Sequence, residues 1–172
     1  MRVLYSCIIL LFSAFNALAL TVESTSGKLA TLITDKSITE LEVSGTINAI
    51  DFKFIADSLN LTSLNLSDAT IESCTTTTPL FTSANSFESN TLPGGCFANS
   101  KLHSVVLPNS LTAIGEGAFL CCDNISSITL PQHLNTISDY AFSACNALEN
   151  IEIPASVTTI GTGAFSHCSS LK

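Results

Sequence analysis

Apolar residues return along this chain at two spacings at once. Within short segments they alternate with polar ones, as in Ile38-x-x-Leu41-x-Val43 and Leu61-x-x-Leu64-x-Leu66, the pattern of a half-buried strand. These two segments are 23 residues apart, and the same step dominates the second half of the chain. Pro108, Pro131 and Pro154 keep it, as do Phe119, Phe142 and Phe165, and Cys122, Cys145 and Cys168. Further columns in phase are Ile114/Ile137/Ile160, Leu111/Leu134/Val157 and Ala118/Ala141/Ala164. The copy that holds Phe97 and Leu102 to Pro108 is one residue short.

The repeat predicts a coil with three inward sides. The alternating segment forms a strand, and Pro closes it because it cannot donate to a further ladder bond. A second apolar pair, such as Val157 and Ile160, turns the next side inward, with Gly115 or Gly161 as a permissive corner. Ala164, Phe165 and Cys168 fill the third side as a short helical turn. One coil cannot bury these residues alone, whereas stacked coils share a continuous core.

Upstream the pattern becomes helical. Ser26 to Ile33 reads as a short helix with Ser26 as N-cap, and Asp51 to Leu59 as an amphipathic helix with Phe54, Ile55 and Leu59 on one side. Residues 20–71 are thus expected to form an N-terminal α/β cap with divergent repeats, covering the open end of the first coil. Residues 72–96 break the period and carry Thr75-Thr76-Thr77-Thr78-Pro79. A surface loop and a degenerate coil both fit that segment. Regular repeats are expected over 97–172, with no C-terminal cap after them.

Met1 to Ala19 has a different logic. Arg2 is followed by an apolar run too short to span a bilayer, and Ala17-Leu18-Ala19 is an Ala-x-Ala cleavage signal, so a secretory signal peptide is expected. No later stretch is apolar enough for a transmembrane segment, so the mature chain is expected outside the cytoplasm. Its removal takes away Arg2 and leaves five Lys against 14 Asp and Glu, a net charge of −9. A chain this acidic cannot neutralise a row of phosphates, which excludes nucleic acid as a partner.

The run from Leu148 to Cys168, Leu-x-x-Ile-x-Ile-Pro-x-x-Val-x-x-Ile-Gly-x-x-Ala-Phe-x-x-Cys, resembles the BspA-like leucine-rich repeats of bacterial and protist surface proteins. The copy from Ile125 to Cys145 departs from that motif at Ser138, in place of Gly, and at Leu134, in place of Val. The resemblance covers 91–172 and implies a leucine-rich repeat solenoid of short stacked strands and short helical turns. It also implies a secreted or cell-surface protein that adheres to host or microbial partners, with no enzymatic activity, no cofactor and no fixed set of binding residues.

Candidate chemistry is sparse. Six cysteines follow the leader: Cys74, Cys96, Cys121, Cys122, Cys145 and Cys168. The column Cys122/Cys145/Cys168 is expected to hold buried thiols, because parallel stacking keeps Cβ atoms about 4.8 Å apart, beyond disulfide reach. Cys74 and Cys96 flank the irregular segment and are the candidate disulfide pair. Cys121-Cys122 and His167-Cys168 lack the short spacings of a zinc site. His167 shares its column with Cys121 and Ala144, which reads as a position open to any residue. No nucleophile, base and acid are placed by a recognisable motif. The sequons at Asn60, Asn65 and Asn124 matter only in a eukaryotic secretory pathway.

Two functional readings follow. In the first, the regular strand face binds an extracellular protein or glycan through the outward residues Thr39, Glu40, Glu42, Thr62, Ser63, Asn65, His103, Ser104, Val106, Ser126, Ser127, Thr129, Glu149, Asn150 and Glu152. In the second, the chain is a structural spacer or self-assembling piece that associates edge to edge through its last coil, or a fragment of a larger adhesin.

Overall fold

The structure is a computed structural model that describes residues 19–81 and 85–172. The expected leader lies outside the described residues apart from Ala19, which opens the first strand. The elements in order are β1 (Ala19–Ser24), α1 (Leu29–Leu32), β2 (Glu40–Ile47), α2 (Ala49–Ser58), β3 (Ser63–Asn65), β4 (Ala69–Ile71), β5 (Cys74–Thr75), β6 (Ser86–Phe87), β7 (Thr91–Leu92), β8 (Ser104–Val106), β9 (Ala113–Ile114), β10 (Thr136–Ile137) and β11 (Thr159–Ile160). They wind into a leucine-rich repeat solenoid with few helices.

The first side is a parallel sheet in the order β1-β2-β3-β8, with β4 paired to the second half of β2. Leu41, Leu64 and Val105 stand in register and point inward, so their immediate neighbours on either side point out. Residues 126–130 and 149–153 continue this side, joined by one bridge from Ser127 to Asn150. The second side is the parallel sheet β7-β9-β10-β11, with Leu92, Ile114 and Ile137 buried.

The third side is a run of tight turns. Alternate amides bond within the coil (Ala118 to Gly115, Leu120 to Gly117), while those between reach the next coil (Gly117 to Asp139, Phe119 to Ala141, Cys121 to Ser143). This alternation needs two left-handed residues per coil: one column is Gly95, Gly117, Tyr140 and Gly163, the other Asn99, Cys121, Ala144 and His167. The His167 column is therefore conformationally demanding, not open to any residue.

Gly115 and Gly161 do not serve as left-handed corners. A Cβ on Gly115 would lie 2.6 Å from the Leu92 carbonyl oxygen, and one on Gly161 would lie 2.4 Å from the Asp139 backbone nitrogen. Close approach of the preceding coil is what requires glycine there; the positive φ falls two residues on, at Gly117 and Gly163.

The cap differs from its expected form. Helix α1 starts at Leu29, and Ser26 does not cap it; the Ser26 hydroxyl bonds Glu72 instead. The buried Asp51 carboxylate accepts from Gly27 N at 2.6 Å, Leu29 N at 2.8 Å and Asn48 N at 3.0 Å, which ties both helix starts together. Asn48 caps α2, so that helix begins two residues before the expected start. Phe52 is then fully buried and meets Phe97, while Phe54 packs against the core only partly buried. The strand β1 is an element the alternation of Leu20 and Val22 could have shown.

Residues 72–96 are not structureless. β5 and β6 pair antiparallel, and β7 already belongs to the second-side sheet through β9. Cys96 takes the place of Ala118 in the next coil and is fully buried, while Cys74 lies half-buried in β5. In this structure Cys74 and Cys96, the candidate pair, both carry free thiols. Cys74 belongs to the hairpin and Cys96 to the core of the first regular coil.

Candidate strand-face interaction site

The outward residues of the first side align in two rows set by backbone register. Glu40, Ser63 and Ser104 form one row; Thr21, Glu42, Asn65 and Val106 form the other. Ser127 and Asn150 extend the first row through their bridge, and Thr129 and Glu152 lie two residues beyond them. Thr39, Thr62, His103, Ser126 and Glu149 do not lie on strands. They sit at the corner before each strand, where Thr39 O accepts from Thr62 N and Thr62 O accepts from His103 N. The structure thus brings the strand residues into one surface and leaves the corner residues on its margin.

One side chain in these rows and one at the corner are held by hydrogen bonds to the backbone. Asn65 Oδ1 accepts from Ser67 N at 3.0 Å, and Thr62 Oγ1 donates to Thr39 O at 3.2 Å. Thr21, missed with β1, donates to Glu42 across the strands at 3.5 Å. Thr21, Glu40, Glu42, Ser63 and Asn65 line a depression of about 150 Å³ at the N-terminal half of the face.

Charge is unevenly spread across this surface. Glu23, Glu40 and Glu42 lie at one end, and Glu149 and Glu152 at the other, with Lys172 near Glu149 at 3.7 Å. The middle is uncharged: Ser63, Asn65, Ser104, Val106, Ser127 and Thr129. Val106 is 45% exposed, an apolar contact in a hydroxyl-rich setting. A second depression lies beside it, where Val106, Asn109, Thr129 and Pro131 meet. No backbone hydrogen bond joins β8 to residues 126–130 among the described residues, so the sheet ends at this depression.

The thiol column lies on the opposite, third side. Cys122, Cys145 and Cys168 each donate to the carbonyl of the Phe one coil earlier: Phe97 at 3.0 Å, Phe119 at 3.1 Å and Phe142 at 3.0 Å. Burial pushes the Cys145 thiol up from an ordinary 9.0 to about 12 and also raises Cys122 and Cys168. Burial raises Cys96 well above its ordinary value, with Cys122 adding to the effect. Such thiols stay protonated and are poor nucleophiles. Among the described residues, no three His, Cys, Asp or Glu side chains cluster to hold a metal, and no helix is long and apolar enough to cross a membrane.

The 23-residue repeat agrees with one known family. The family model described as "BspA type Leucine rich repeat region (6 copies)" matches residues 90–172, which takes in β7 and every regular coil after it. No curated protein matches the chain. Among solved structures, the crystal structure of a T. pallidum leucine-rich repeat protein is similar at 20% identity and a TM-score of 0.47, covering 91% of this chain and 78% of that one. Residues 90–172, just under half of the chain, are thus a BspA-type leucine-rich repeat region.

Proposed function

We propose that this protein is a secreted or cell-surface binding module, without catalytic activity, that holds an extracellular protein or glycan on its strand face. The observation that carries this reading is the register of the outward rows. Ser63, Asn65, Ser104 and Val106 are presented at fixed strand spacing over buried Leu64 and Val105, so the surface is rigid before any partner arrives. Its hydroxyl and amide groups offer donors and acceptors, and Val106 offers apolar contact. The Ala-x-Ala leader supports an extracellular setting. Saturable binding of the folded domain to immobilised extracellular-matrix proteins or cell-surface glycans supports the reading. Absence of saturable binding across such a panel counts against it.

A second reading, edge-to-edge self-association, draws on the last coil. Ile160 is 52% exposed, whereas Ile114 and Ile137 in the same column are fully buried. A further coil stacked there, from another copy, would cover it. Light scattering across a range of concentrations tests this: growth in mass that Ile160→Asp abolishes supports it, and a constant monomer mass removes it.

A further inference from the structure

The first regular coil is one residue short, and the missing position has a place in the fold. Phe119 to Ile125 and Phe142 to Leu148 each span six steps, but Phe97 to Leu102 spans five. The deletion falls at the corner after the third side, where later coils carry Asp123-Asn124, Asn146-Ala147 and Ser169-Ser170 and this coil has Lys101 alone. Those later corners are tied together: Asn146 Nδ2 donates to Asp123 at 2.9 Å, and Ser169 Oγ donates to Asn146 Oδ1 at 3.2 Å. At the shortened corner a cleft of about 150 Å³ opens instead, between the end of α2 and residues 96–102.

The cleft has an apolar wall and a single charge. Ile55, Leu59, Leu61, Phe97 and Leu102 line it, all largely buried in the core. Its polar lining is Asn60, Asn99, Ser100 and Lys101. Lys101 is exposed and, like Lys28 and Lys36, has no carboxylate partner among the described residues; Lys53 pairs with Asp57 and Lys172 with Glu149. An unpaired cation beside an apolar cleft in so acidic a chain selects for a negative head on an apolar body. The volume holds roughly five water-sized groups, which limits the body to a short chain.

We propose that this cleft binds a small aliphatic carboxylate, its chain against Leu59, Leu61 and Leu102 and its carboxylate at Lys101. Asn60 and Asn99 supply further donors for the head group, and the site is separate from the strand face.

Titration of the full mature chain with hexanoate, followed in amide and methyl NMR spectra, tests this. The expected result is saturable shifts confined to residues 55–61 and 96–102. Hexanamide, which lacks the charge, and acetate, which lacks the chain, should each bind about threefold to fivefold more weakly, as one partly exposed charge contact implies for the first. Lys101→Gln, an exposed substitution, should leave the spectrum folded and remove the preference for hexanoate over hexanamide. Ala98→Phe, which fills the cleft from its rim, should abolish the shifts. Equal affinity for hexanoate and hexanamide, shifts scattered over the surface, or no saturation overturns the proposal. So does unchanged hexanoate binding by a folded Lys101→Gln protein.

Discussion

Phe52 meets Phe97 edge-on, with ring centroids 5.7 Å apart and planes at 74°, whereas Phe119 and Phe142 further along stack at 5.0 Å and 4°. The edge contact ends the aromatic column: a ring from α2 closes a stack that coil geometry would otherwise extend. Phe52→Ala should therefore cost about 3–5 kcal/mol, as for a fully buried ring. Phe165, half-buried at the far end of the same column, should cost clearly less on the same change. Urea unfolding of both variants checks the order. Equal losses would mean that the cap ring contributes no more than a half-buried one.

Asp51 governs the other half of the cap. Its buried carboxylate accepts three backbone N–H groups, and each hydrogen bond to a charged acceptor is worth about 1.5–3 kcal/mol. Asp51→Ala should destabilise the cap by about 3 kcal/mol or more. Asp51→Asn should not restore it, because an amide turns a donor toward one of these donors. Thermal unfolding with hydrogen exchange at Gly27 and Leu29 is the check; a stable Asp51→Asn protein would contradict this account.

The thiol column predicts a pH dependence with a definite sign. In the unfolded chain a thiol ionises near its ordinary 9.0, whereas burial holds Cys145 neutral up to about 12. Unfolding is thus accompanied by proton loss in that window. Stability should be level below about pH 8 and fall as pH rises from 9 toward 12. Replacing Cys122 and Cys145 by Ala should flatten the fall while lowering stability at neutral pH, since the carbonyls of Phe97 and Phe119 lose their thiol donors. Denaturant midpoints measured across that range decide it, with ionisation of other groups removed by the comparison.

The left-handed column offers a stabilising change. Ala144 sits at φ 57°, where a Cβ is strained and glycine is not. Ala144→Gly should raise stability by about 0.5–1 kcal/mol, net of the entropy that glycine adds to the unfolded chain. A melting temperature that falls instead would place the strain elsewhere.

The columns that the sequence showed are those whose side chains repeat. Phe97, Phe119, Phe142 and Phe165 share a residue type, so the stack was visible as spacing. Cys121, Ala144 and His167 share a backbone conformation and no chemistry, so their column carried no readable signal. The thiols were legible as buried but not as donors, because their acceptor is a main-chain carbonyl about 26 residues away. Asp51 escaped for the same reason: its partners Gly27 and Leu29 are distant in sequence and contribute only N–H groups. On the candidate face, alternation placed Glu40, Glu42, Ser63, Asn65, Ser104 and Val106 correctly on strands. It overreached at Thr39, Thr62 and His103, where the chain has not yet left the corner.

Under the proposed function partners meet the strand face, and paired substitutions test this most directly. Asn65 and Val106 are register partners on adjacent strands with outward side chains. Asn65→Arg with Val106→Arg should leave the fold intact and abolish saturable binding to whichever immobilised extracellular ligand the unaltered domain holds. Thr162→Arg, exposed on the turn side, should leave that binding unchanged. Binding that survives the strand-face pair, or is lost on the turn-side change alone, would contradict the assignment of this face.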